Sequence, residues 1–141
     1  MDLGLVAGWH DVCARQIEKV ILLDTHAVIW LDQSHKRVRA LADESRQLYV
    51  SPATILELQM LVEIGRLKHG RSAFERLVAD ERWLIDEPPA LGWFQEAADI
   101  TWTRDPFDRL IVAHARHRGW KLSTADTAVL EHLGPRERVE L

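Results

Sequence analysis

Apolar residues fall along this chain in short continuous runs, separated by longer stretches with helical spacing. The runs are Val20-Ile21-Leu22-Leu23, Leu48-Tyr49-Val50 and Trp83-Leu84-Ile85, and Trp120-Lys121-Leu122-Ser123 reads as a further short strand. Runs of this kind suit strands of a parallel sheet buried on both faces. Glu137 to Leu141 reads as a further edge strand. Between the runs the spacing predicts helices over Thr25–Leu31, from Ser34 as N-cap to about Arg46, and over Pro52–Ile64. Others follow over Ser72–Ala79, over Ala90–Asp99 with Phe94, Ala97 and Ala98 inward, over Pro106–Arg118, and over Thr127–His132. Trp9 to Lys19 has a weaker amphipathic pattern, with Val12, Cys13, Gln16 and Ile17 near one face. Strands alternating with helices predict an α/β fold: a mainly parallel central sheet with helices on both faces, three layers in all.

The helix starts carry specific signals. Ser51-Pro52 and Asp105-Pro106 each pair an N-cap with proline at the first helical position. Gly65 and Gly119 stand where those two helices stop. In the stretch Arg104-Asp105-Pro106-Phe107-Asp108-Arg109, Asp108 lies in the first helical turn, beside an apolar stripe of Phe107, Leu110, Ile111 and Ala115.

Composition narrows the class. The chain has 141 residues, 47% hydrophobic and 28% charged, as expected of one globular domain. No apolar run approaches bilayer length, and residues 1–19 lack the pattern of a signal peptide. The single cysteine, Cys13, excludes an internal disulfide framework and a cysteine-based zinc site, and fits the cytoplasm. A net charge of −4 argues against binding nucleic acid by bulk charge, yet local basic clusters remain. These are Lys36, Arg37 and Arg39; Arg66, Lys68 and Arg71; and Arg116, His117, Arg118 and Lys121. Each also reads as a solvated helix face.

Four carboxylates are predicted to converge. Asp24 and Asp126 follow buried strands at the C-terminal sheet edge, where open α/β sheets bind ligands. Glu57 and Asp108 lie early on helices that begin near that edge, with Glu57 among Ala53, Thr54, Met60, Leu61 and Ile64. Structural readings exist for three: a solvent-reaching helix edge for Glu57, a helix start for Asp108 and an N-cap for Asp126. Together, four acids would repel one another unless a hard cation binds them. Mg²⁺, with Mn²⁺ as substitute, is the natural occupant, and its chemistry is phosphodiester hydrolysis by an activated water. Thr124 is placed to hydrogen-bond a carboxylate or that water.

These motifs resemble the PIN-domain ribonucleases, specifically the VapC type of toxin in type II toxin–antitoxin modules. Leu22-Leu23-Asp24-Thr25-His26-Ala27-Val28-Ile29-Trp30-Leu31 resembles the family's opening strand and helix. Ser51-Pro52-Ala53-Thr54-Ile55-Leu56-Glu57 resembles the second acidic segment, and Gly65-Arg66-Leu67 the turn after it. Arg104 to Arg109 resembles the third segment and Ser123-Thr124-Ala125-Asp126 the last. Many relatives have Trp, Lys and His where this chain has Leu56, Leu61 and Thr103. The resemblance implies a PIN-like, Rossmann-like fold over residues 20–141, with 1–19 a dispensable extension. It implies an acidic quartet of Asp24, Glu57, Asp108 and Asp126 that holds metal and is catalytic, supported by Thr124 and Asp105. It further implies an RNA substrate, a cognate antitoxin and a homodimer, with no membrane. An RNA-processing nuclease without antitoxin and a silent PIN-like binding module are the alternatives.

Other chemistry is weaker. His114 and His117 have no matching partner set for zinc and read as core or surface histidines. Most of the six tryptophans read as core, although an exposed Trp102 would suit base stacking.

Overall fold

The run Val20–Leu23 forms β1, and the computed structural model places it at the centre of a five-stranded sheet. The structure describes residues 19–41, 45–67 and 73–141. The reading of Trp9 to Lys19 as a helix falls almost entirely outside these residues. After β1 come α1 (Thr25–Asp32), a 3₁₀ helix (Lys36–Leu41), β2 (Gln47–Val50), α2 (Pro52–Glu63) and α3 (Ala73–Ala79). Then follow β3 (Leu84–Ile85), α4 (Ala90–Asp99), α5 (Pro106–Arg118), β4 (Lys121–Thr124), α6 (Thr127–Leu130) and β5 (Arg138–Glu140).

The strand order is β3-β2-β1-β4-β5, and every pairing is parallel. Leu22 sits between Tyr49 and Leu122 in register. Alternation along β1 sends Leu22 to one face and Ile21 and Leu23 to the other. The Leu22 face packs with Leu122 against Trp93 and Ala97 of α4 and Ile111, Val112 and Ala115 of α5. The opposite face packs with Leu48 and Val50 against Ala27, Val28, Ile55, Leu58 and Trp83. This is the three-layer α/β arrangement expected, with the central strands β1 and β4 buried on both sides and the edge strands β3 and β5 partly exposed.

Several local expectations are corrected. Ser34 is not a helix N-cap: its φ is 52°, and it ends α1 instead. The Ser34 N–H donates to the Leu31 carbonyl at 3.2 Å and the His35 N–H to the Trp30 carbonyl at 2.8 Å, the bonding of a left-handed helix stop. The segment after it is a 3₁₀ helix; residues 42–44 lie outside the described set. On α4 the inward residues are Trp93 and Ala97, while Phe94 is 54% exposed and Ala98 is also outside. A hydrogen bond from Trp93 Nε1 to the Leu110 carbonyl, 2.7 Å, sets that phase by tying α4 to α5. On α5 the fully buried residues are Ile111 to Ala115, with Phe107 and Leu110 half-buried. Of the tryptophans, Trp83 and Trp93 are buried and Trp30, Trp102 and Trp120 half-buried.

Candidate functional site

The C-terminal ends of β1 and β4 are neighbours, and the chain leaves each through an aspartate. Asp24 is the N-cap of α1: its Oδ1 accepts from the Ala27 N–H at 2.7 Å. Its own N–H donates to the Ser123 carbonyl at 3.2 Å, which ties it to β4. Asp126 is the N-cap of α6, its Oδ1 accepting from the Ala128 N–H at 2.9 Å and the Val129 N–H at 3.3 Å. The buried Thr124 hydroxyl links the two acids. It accepts from the Asp126 N–H at 3.1 Å and its side chain hydrogen-bonds Asp24.

Glu57 and Asp108 arrive on helices. Ser51 caps α2 through the Ala53 N–H at 3.2 Å, which places Glu57 in the second turn. The buried face of α2 is Ala53, Thr54, Ile55 and Leu58, whereas Met60 and Ile64 are exposed. Glu57 is therefore half-buried at a cleft wall rather than inside an apolar stripe. Buried Thr25 donates its hydroxyl to Glu57 Oε1 and fixes that carboxylate. Asp105 caps α5, its Oδ1 accepting from Phe107 N–H at 2.8 Å and Asp108 N–H at 3.3 Å. Thr103 holds the approach: its Oγ1 accepts from the Asp105 N–H at 3.2 Å, and its carbonyl from Arg109 Nε at 2.7 Å.

Asp24, Glu57, Asp105, Asp108 and Asp126 all line one cleft of about 530 Å³, with Thr25, His26, Arg66 and Thr124 among its other residues. Burial raises the Asp24 carboxyl pKa against the opposing bonds from Thr124 and the Ala27 N–H. Burial likewise raises Glu57 against the Thr25 hydrogen bond, with Asp105 adding repulsion. Asp108 is lifted furthest, from 3.8 to about 7, by burial and then by the charges of Asp105, Asp126, Glu57 and Asp24. These are the electrostatics of a site short of positive charge. Among the described residues, no three His, Cys, Asp or Glu side chains converge closely enough to share one ion. In kind, the donors are all hard oxygen, which matches Mg²⁺ or Mn²⁺. Three of them would have to draw together to share one ion.

Two further residues of the cleft lie outside the predicted quartet. Thr25 holds Glu57 from 32 positions away, and His26 lines the cleft one residue later. Trp102, read as a base-stacking candidate if exposed, is half-buried and stacked on His132, ring centres 4.2 Å apart and 6° from parallel. His114 is fully buried, with Nε2 at 2.7 Å from Asp86 Oδ2, and Arg118 Nε binds the same oxygen at 2.9 Å. His117 Nδ1 pairs with Glu96 at 2.9 Å, so the two histidines face separate acids.

Comparison with known proteins adds four findings. Residues 21–134 match the family model of the PIN domain. The chain is similar to Ribonuclease VapC22 of Mycobacterium tuberculosis, 28% identical over 122 residues that cover 82% of this chain and 94% of that one. It is also similar to the solved structure of FitAcB from Neisseria gonorrhoeae, 23% identical, covering 79% of this chain and 91% of that chain with a TM-score of 0.42. A structure of FitAB bound to an IR36 DNA fragment is 24% identical, covering 79% and 88%, with a TM-score of 0.41.

Proposed function

The chain belongs to the PIN-domain family, and we propose that it is a metal-dependent endoribonuclease, the toxin of a type II toxin–antitoxin pair. One observation carries this reading: five carboxyl groups line a single cleft at the C-terminal edge of the sheet. The similarity to a protein named as a ribonuclease supports RNA as the substrate. In this reading Asp24, Glu57, Asp108 and Asp126 hold the ion, and Asp105 remains a cap. A Mg²⁺ or Mn²⁺ held there would acidify a water and neutralise the leaving oxygen. Thr124 orients Asp24 and Asp126 together, and Thr25 orients Glu57. Burial and the neighbouring acids lift the Asp108 carboxyl to about 7, and a cation held beside it would favour its ionised form. The RNA, a cognate antitoxin and a second copy of the chain are the partners, and the cytoplasm is the compartment.

The test is cleavage of single-stranded RNA by the purified chain with Mg²⁺, Mn²⁺ or EDTA, with thermal melting alongside. Saturating metal should raise the melting temperature by mass action, and EDTA should stop cleavage. Activity in EDTA with unchanged melting overturns the metal reading. Growth arrest on expression, relieved by a small neighbouring gene, supports the toxin role. Cleavage without arrest favours the RNA-processing alternative.

A further inference from the structure

An acidic cleft repels the phosphates on either side of the bond to be cut, so a nucleic acid strand needs cationic and flat surfaces nearby. Several described arginines are held by acids of the fold. Arg76, Arg82, Arg116 and Arg118 pair with Asp32, Asp80, Glu137 and Asp86. Arg37 has no ion pair with any described residue; its guanidinium carbon lies 5.2 Å from the centre of the Trp30 ring. Its backbone N–H donates to His35 Nδ1 at 3.1 Å. The His35 ring stacks on Trp30, centres 5.4 Å apart at 24°. Trp30 in turn meets His26 at 6.0 Å and 53°. His26 lines the acidic cleft. A continuous run of rings thus leads from the carboxylates across α1 to an exposed permanent cation. Lys36 and Arg39 flank that cation, exposed and three residues apart on the 3₁₀ helix, where such positions share a face.

We propose that His26, Trp30, His35 and Arg37 form a track that holds single-stranded RNA beside the scissile bond. Arg37 takes a phosphate and the imidazole–indole stack takes a base. The track rests on the ribonuclease reading for its substrate, and names where the strand lies outside the catalytic cleft. Trp30 is a positioning residue: it orders both the cation and the flanking imidazoles.

The experiment measures binding of a labelled single-stranded oligoribonucleotide to the full chain across salt concentrations, together with KM and kcat for its cleavage. Arg37→Gln should raise KM roughly five- to tenfold and reduce the salt slope by about 0.7, as expected for one lost phosphate contact, while kcat holds. Trp30→Leu should weaken binding roughly tenfold, and Trp30→Phe should restore most of it, because stacking tolerates a change of ring. Arg37 is exposed, so its variant stays informative if Trp30→Leu melts early. An unchanged KM and salt slope in Arg37→Gln overturns the track and leaves the ribonuclease reading standing. Binding that Arg37→Gln weakens, without cleavage by the parent chain, upholds the track and overturns that reading. No binding by the parent chain overturns both. Retained RNA binding with lost binding of a polyglutamate peptide assigns the surface to an acidic protein and overturns the RNA track.

Discussion

Replacing Asp108 with Asn separates a helix-start residue from a member of a charged cluster. The carboxyl accepts no hydrogen bond from any described residue, so Asn keeps the shape and removes only the charge. Raising its pKa from 3.8 to about 7, by burial first and by the neighbouring acids second, sets a ceiling of about 4 kcal/mol on the cost of its charge, at about 1.36 kcal/mol per pH unit. Solvent screening in the half-open cleft brings this to about 1–2 kcal/mol. Losing a carboxylate from the first turn costs about 0.3–1 kcal/mol of dipole interaction. The folded-state pKa lies above the unfolded one, so between them the native chain holds a proton that the unfolded chain has lost. This term therefore lowers stability as pH rises from about 4 to about 7, and Asp108→Asn should abolish that slope. Urea unfolding in EDTA is the assay. At about pH 3 both side chains are largely neutral and the proteins should match. At about pH 8 the variant should be more stable by about 0.5–1.5 kcal/mol, yet fail to cleave RNA. A variant less stable at that pH, with cleavage intact, would refute the cluster argument and leave Asp108 a helix start. Asp105→Asn supplies the control: it keeps a capping oxygen, and cleavage should persist.

Thr25→Val keeps volume but removes the hydroxyl that fixes Glu57, and should cut kcat roughly tenfold without an equal rise in KM, measured on the same RNA. A chain beginning at Val20 should fold and cleave as the full chain does; loss of its cooperative unfolding would show that residues 1–19 belong to the domain. Burial lowers the His114 pKa against the Asp86 hydrogen bond, so the unfolded chain binds that proton first as pH falls. Stability should therefore drop on acidification below about 6.5, and His114→Gln should flatten that part of the profile, read by thermal melting at a series of pH values.

Elements with local causes are legible in the order of residues alone. Val20–Leu23 is apolar at every position, and Ser51-Pro52 and Asp105-Pro106 start helices through bonds spanning two or three residues. The alternation of elements then places Asp24 and Asp126 at one sheet edge. Other features depend on tertiary context. Trp93 and Phe94 are adjacent, and only the bond to Leu110 decides which turns inward. Ser34 adopts a conformation usually left to glycine, which its side chain does not announce. Thr25 meets Glu57, and His114 meets Asp86, across separations of 32 and 28 residues that no local pattern encodes.

Three of the cleft acids also start helices: Asp24, Asp105 and Asp126 each give one carboxylate oxygen to backbone N–H groups. Glu57 and Asp108 cap nothing. Under the proposed function, loss of activity by mutation is graded by position. At residues 57 and 108 many single changes can extinguish the chemistry and leave the fold intact. At residues 24 and 126 an alanine removes charge and cap together, at about 1 kcal/mol for the cap, whereas serine or asparagine removes the charge alone. Inactive descendants of this chain should thus tolerate wide variety at 57 and 108, but keep short polar side chains at 24 and 126.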